Sequence, residues 1–120
     1  MLLSTIFHTP PHRFTELLTG CLRNAIEQGF ETIMVTPHMD NTVSTYYWRN
    51  YLRMDPTLPV KGFSYWDIQL GPLAAAINAN LRPGITFLFN LQGEMGTSLF
   101  GWPLQYLLLM QRAKAQATAG

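Results

Sequence analysis

The run Ile85-Thr86-Phe87-Leu88-Phe89-Asn90-Leu91-Gln92-Gly93-Glu94-Met95-Gly96 is a strand-type apolar segment that stops at a single carboxylate between two glycines. Strands apolar on both faces are those of covered parallel sheets. In parallel α/β folds, side chains at the carboxyl ends of the strands face the ligand crevice, so Gln92 and Glu94 are expected at the mouth of a site. A second run, Thr32-Ile33-Met34-Val35-Thr36, ends in the polar cluster Pro37-His38-Met39-Asp40. Two such strand ends in 120 residues imply half of a larger active site.

Helical spacing fills the intervals. From Pro10 to Gln28, apolar residues recur at Phe14, Leu17, Leu18, Cys21, Leu22, Ala25 and Ile26, which predicts one buried stripe on a helix over 10–28. Thr9 and Pro10 fit its start, and Gly29 fits a left-handed stop that feeds the strand over 32–36. A second helix is expected over 65–82, with Ser64 as its cap and a kink or restart at Gly71-Pro72. Arg82-Pro83-Gly84 ends it, and the second strand follows over 85–91. After a loop, a last helix over 103–114 is expected to run through Leu104, Leu107, Leu108 and Gln111. The tail from Ala113 lacks an apolar face and is expected to fray. Between strand one and helix two, the segment 41–62 carries Tyr46, Tyr47, Trp48, Arg49, Tyr51 and Arg53, and it exceeds ordinary connection lengths.

Short helix-to-strand connections are the grammar of a parallel sheet. The expected class is therefore α/β, with two parallel strands and three flanking helices. Two strands leave faces and edges uncovered, so the chain reads as one incomplete segment of a (β/α)8 TIM barrel, a fold of about 250 residues. Uncovered strand edges also allow self-association.

Composition narrows the function. Eight Lys and Arg against seven Asp and Glu, scattered along the chain, give a net charge of +1 and no footprint for nucleic acid or an anionic membrane. The longest apolar stretches fall well short of the ~18 residues of a membrane span, so no membrane partner is expected. The N-terminus lacks the basic region and the apolar length of a signal peptide. One cysteine, Cys21, excludes an internal disulfide and is expected to be a buried thiol.

The segment from Gly29 to Asp40, closing in Thr36-Pro37-His38-Met39-Asp40 and followed by Trp48-Arg49, resembles the third strand and loop of (β/α)8-barrel glycoside hydrolases related to the endo-β-mannanases. Leu91-Gln92-Gly93-Glu94-Met95-Gly96 resembles the end of their fourth strand. The resemblance covers Gly29 to about Arg112. It implies hydrolysis of O-glycosidic bonds without a cofactor or metal, with Glu94 as acid/base, and it places the nucleophile on a seventh strand that this chain does not contain. Gly93 stands where the family commonly has Asn, so Gln92 or Asn90 would take the bond to the sugar 2-hydroxyl. His38, Asp40, Trp48 and Arg49 would line the sugar pocket, and the flat rings of Tyr46, Tyr47, Trp48 and Trp66 would offer faces to a pyranose. A retaining glycosidase needs two carboxyl groups about 5 Å apart. This chain offers one, and it is expected to be inactive by itself.

Two other readings stand beside this one. Thr36-Pro37-His38 and the preceding Ala25-Ile26-Glu27-Gln28-Gly29 also resemble metal-dependent hydrolases of the polymerase-and-histidinol-phosphatase type. That chemistry needs several His and acidic ligands, and the chain holds only His8, His12 and His38 as histidines. The non-enzymatic reading is a truncated gene product or a barrel remnant that keeps a carbohydrate-binding surface.

Overall fold

A computed structural model describes residues 11–39 and 48–119. Helix α1 (Pro11–Glu27) leads into strand β1 (Thr32–Val35), and a 3-10 turn (Arg49–Tyr51) follows the segment that is not described. A π-turn (Trp66–Leu70) opens helix α2 (Gly71–Asn78), which precedes strand β2 (Thr86–Phe89). Helices α3 (Gly96–Gly101) and α4 (Pro103–Ala119) complete the order. The architecture is α/β: β1 and β2 pair in parallel, with Thr32 opposite Thr86 and Val35 opposite Phe89. The ladder continues beyond the strands, since Thr86 N–H donates to the Glu31 carbonyl at 2.8 Å and Asn90 N–H to the Val35 carbonyl at 2.9 Å.

The local signals behave as their chemistry dictates. Gly29 ends α1 with φ +102°, a left-handed conformation open to glycine at little cost. Ser64 and Asp67 form a reciprocal cap: Ser64 N–H donates to Asp67 Oδ2 at 3.0 Å, and Asp67 N–H donates to Ser64 Oγ at 3.1 Å. These bonds, the backbone one first, hold the Asp67 carboxyl below its ordinary range. Pro72 has no N–H to continue an α-ladder, and the preceding turn is widened so that Gly71 N–H reaches the Trp66 carbonyl. The expected kink is thus a π-turn.

Other expectations are corrected. Helix α2 stops at Asn78, short of residue 82, because the buried Asn80 folds its amide onto the Ala76 carbonyl at 2.9 Å and the Thr19 carbonyl of α1 at 3.2 Å. Helix α4 runs to Ala119, past the expected end at 114. It buries Tyr106, whose hydroxyl meets Ser98 Oγ at 2.7 Å, together with Leu109, and leaves Leu104, Leu107 and Leu108 exposed. Helix α3 lies where a loop was expected. On α1 only Phe14 of the predicted stripe is buried; Leu17 and Cys21 are exposed, so the thiol is not a core residue. Each strand is half-buried at alternate positions rather than covered on both faces. Within 41–62, Lys61 (φ +52°) and Gly62 (φ +84°) turn a short antiparallel bridge between Val60 and Phe63.

The core joins Tyr65, Trp66, Leu70, Ala74, Met95, Tyr106 and Leu109, with Phe89 and Leu91 of the β2 end packed against it. Phe87 and Phe89 face α2 and α4. Met34 and Leu88, paired on the opposite face, are 63% and 44% exposed. Beneath the strand ends, Ser98 Oγ donates to the Met54 carbonyl and accepts from the Tyr106 hydroxyl at 2.7 Å, tying the loop after the 3-10 turn to α3 and α4. Loss of this hydroxyl strands the buried Tyr106 hydroxyl and the half-buried Met54 carbonyl. Ser98→Ala should therefore cost about 1–3 kcal/mol in chemical denaturation, and a change below ~0.5 kcal/mol would show that the bridge carries no weight.

No helix among the described residues is long and apolar enough to cross a membrane.

Candidate functional site

The site lies at the carboxyl ends of the two strands. After β1 the chain turns at the buried Pro37, and Gln69 of the π-turn donates from Nε2 to the His38 carbonyl at 3.2 Å. The next carbonyl, of Met39, accepts from Arg49 Nε at 3.0 Å. The backbone that presents His38 is thus gripped by two side chains from later in the chain. Its imidazole lies against Gly93, where a Cβ would overlap Cδ2 and Nε2 of the ring and sit 2.8 Å from Thr36 Cγ2. Glycine before Glu94, in place of the resembled family's Asn, is therefore what lets the two strand ends close on each other.

Glu94 has φ +55°, in the left-handed region that a residue with a side chain occupies at a cost of about 1–2 kcal/mol. The turn is held by its neighbours. Gln92 Oε1 accepts from Met95 N–H at 2.7 Å, and Asn50 Oδ1 accepts from Gly96 N–H at 2.8 Å. So held, the carboxylate meets the 3-10 turn: Glu94 Oε2 accepts from Trp48 Nε1 at 3.2 Å and from Arg49 Nη1 at 2.5 Å. The side chain of Glu94 is half-exposed, whereas that of Arg49 is largely covered. The Glu94 carboxylate is thus partly open to solvent. Trp48 and Tyr51 stand edge to face, 5.7 Å between ring centres, and both are exposed beside it.

Electrostatics follow from these partners. The Trp48 indole first, then the Arg49 guanidinium, stabilise the ionised form, and the Glu94 carboxyl lies below its ordinary range. A folded-state value below the unfolded one means that the clasp is fully present above the unfolded pKa and is lost as pH falls through the folded one. The indole N–H resonance of Trp48 should therefore titrate with a midpoint below the ~4.3 of a free glutamate; a midpoint at or above that would disprove the clasp.

The sequence-derived candidates separate into groups. His38, Trp48, Arg49 and Glu94 converge. Asn90 lies one step down the strand, donating from Nδ2 to Thr36 Oγ1 at 2.8 Å. Gln92 is committed to the Met95 amide and braces the turn. Asp40 lies outside the described residues, as do Tyr46 and Tyr47. Trp66 is buried under the Arg112 guanidinium, 4.1 Å from its ring centre, and offers no face to a ligand. Arg49 pairs with Glu94. Asn50 and Gln69 were not singled out by sequence, since neither belongs to a strand end or a motif and each acts on backbone at least 31 residues away.

Two grooves lie elsewhere. One of about 290 Å³, lined by Ala74, Ile77, Phe87, Phe89 and Met110, is apolar and lies on the helix side of β2. Another of about 790 Å³ runs from Asn90 and Gln92 along α4 past Leu107 to Lys114. Neither reaches Glu94. Among the described residues, no three His, Cys, Asp or Glu side chains come together to hold a metal. No family model matches this sequence, and comparisons with curated proteins and with solved structures returned no match.

Proposed function

We propose that this chain is a strand-end segment of a glycoside-hydrolase-type (β/α)8 barrel, and that its site binds neutral carbohydrate through Glu94, Trp48 and His38. The supporting observation is the half-exposed Glu94 carboxylate in the turn after β2, clasped by Trp48 and Arg49 through Oε2. A half-exposed carboxylate accepts sugar hydroxyls, and the adjacent Trp48 and Tyr51 rings supply apolar surface for a pyranose face. In the barrel reading, Met34 and Leu88 are interior residues covered by the remaining strands.

Hydrolysis demands more than this clasp. An acid/base must carry a proton at working pH, and a carboxyl held ionised by Arg49 does not. A second carboxylate within about 5 Å would raise the Glu94 pKa by like-charge repulsion and give it the proton to deliver. The chain alone therefore binds without cleaving.

The test is titration with manno- and gluco-oligosaccharides, read by the Trp48 indole resonance and by calorimetry, beside a reducing-sugar assay on mannan and glucan. Binding weakened at least tenfold by Glu94→Gln and by Trp48→Ala is expected, with no release of reducing sugar. Absence of any binding removes the carbohydrate reading. Release of sugar that Glu94→Gln abolishes would refute the inactivity of the isolated chain.

A further inference from the structure

We infer that Asn50 is a positioning residue for Glu94, setting the carboxylate against its Trp48 and Arg49 donors by holding the backbone two residues further on. The inference rests on the site reading above only for its functional meaning; its geometry stands independently.

Asn50 follows directly on Trp48 and Arg49 in the 3-10 turn and is half-buried. Its Oδ1 accepts the Gly96 amide at 2.8 Å across 46 residues. Gly96 N–H is the first amide of α3, an end group with no partner inside its own helix, and Met95 at the cap contributes no side-chain bond. One hydrogen bond therefore does two things: it closes the start of α3, and it fixes the distance between the turn that carries the donors and the turn that carries the acceptor. Glu94 is followed directly by two braced amides, since Gln92 holds Met95 N–H and Asn50 holds Gly96 N–H. Without the second brace, the left-handed conformation at Glu94 (φ +55°) has a lower-energy escape into ordinary backbone, which carries the carboxylate away from Trp48.

The packing at Gly96 gives a second reason for the arrangement. A Cβ there would lie 3.3 Å from Asn50 Oδ1, close enough to push the acceptor out of line. The glycine after Glu94-Met95 and the asparagine after Trp48-Arg49 are thus matched. Among the described residues, the charged or titratable groups that act on Glu94 are Arg49 from the 3-10 turn and His38 from the end of β1. Neither is altered by changing Asn50, so a moved Glu94 titration reports a moved carboxylate.

The experiment follows the Trp48 indole resonance against pH in three variants of the full chain: Asn50→Ala, Gly96→Pro and the double variant. Proline is accepted at the first helical position and removes the donor from the other side of the bond. The expected result is a titration midpoint raised toward that of a free glutamate in each single variant, by a similar amount, with no further rise in the double variant. Oligosaccharide affinity, where the wild type binds, should fall roughly tenfold in step. An Asn50→Ala variant that remains folded and keeps the wild-type midpoint overturns the inference, whatever happens to its melting temperature. Should Asn50→Ala fail to fold, Gly96→Pro decides alone by the same midpoint. Wild-type protein that binds no sugar, together with midpoints that move as expected, would sink the carbohydrate reading and leave the positioning role intact.

Discussion

Leu70→Ala should remove about 2–5 kcal/mol of folding stability, the cost of a fully buried leucine whose cavity cannot collapse. Leu70 is 0% exposed at the centre of the cluster that joins Tyr65, Trp66, Met95 and Tyr106. It occupies the last position of the π-turn, where the widened backbone before Pro72 leaves little freedom to close around a void. A domain of this size has total stability on the order of 5–15 kcal/mol, so the variant loses a large share of its margin. Leu104→Ala is the matched control. Leu104 is 70% exposed on α4, and its loss should change stability by less than ~0.5 kcal/mol. Urea denaturation of the two variants tests the packing directly; equal losses would mean that the helix rotations described above are wrong.

The second large effect belongs to Gly93. Gly93→Ala places a methyl group where the His38 ring lies and 2.8 Å from Thr36 Cγ2. The imidazole is exposed and can swing outward, whereas the Thr36 methyl sits at the end of β1 and can yield only if the strand end shifts. The expected loss is about 1–3 kcal/mol, the range of overpacking, accompanied by departure of His38 from the Glu94 turn. In a His38→Ala background the ring overlap is absent, so Gly93→Ala should cost measurably less than in the wild type. Strict additivity of the two changes would show that His38 and Gly93 do not touch. The same cycle read on sugar affinity separates the role of the imidazole from the fit of the strand ends.

The candidate site was legible in outline. A strand that ends in a carboxylate announces itself through composition alone, because alternate apolar residues need a core and a charged residue cannot enter it. This reasoning points to Glu94 and, after the first strand, to His38; Trp48 and Arg49 enter through the resemblance to the glycoside hydrolases, and the fold brings both onto the Glu94 carboxylate. The sequence did not assign their partners. Arg49 is as near in sequence to Asp40 and Asp55 as to anything, yet its guanidinium crosses 45 residues to Glu94. Gln92 was expected to face a ligand and is instead spent on the Met95 amide. The left-handed backbone at Glu94 has no sequence signature, since a glutamate adopts it only when bonds from elsewhere outweigh its strain.

From the short helix-to-strand connections the sequence by itself determined the parallel α/β order, and from near neighbours the cap at Ser64, the stop at Gly29 and the break in the ladder at Pro72. The last three depend on a steric or hydrogen-bonding property of residues within one turn of each other, and such properties hold wherever the segment lies. Tertiary structure alone decided which face of α4 is buried, that Asn80 ends α2 by reaching across to α1, that Gly96–Gly101 is helical, and that Asn50 holds the Glu94 turn. All four depend on backbone groups brought from distant parts of the chain. Leucines at 104, 107, 108 and 109 are equivalent to any local rule, and only the position of Tyr106 against Ser98 and the core singles out Leu109 for burial.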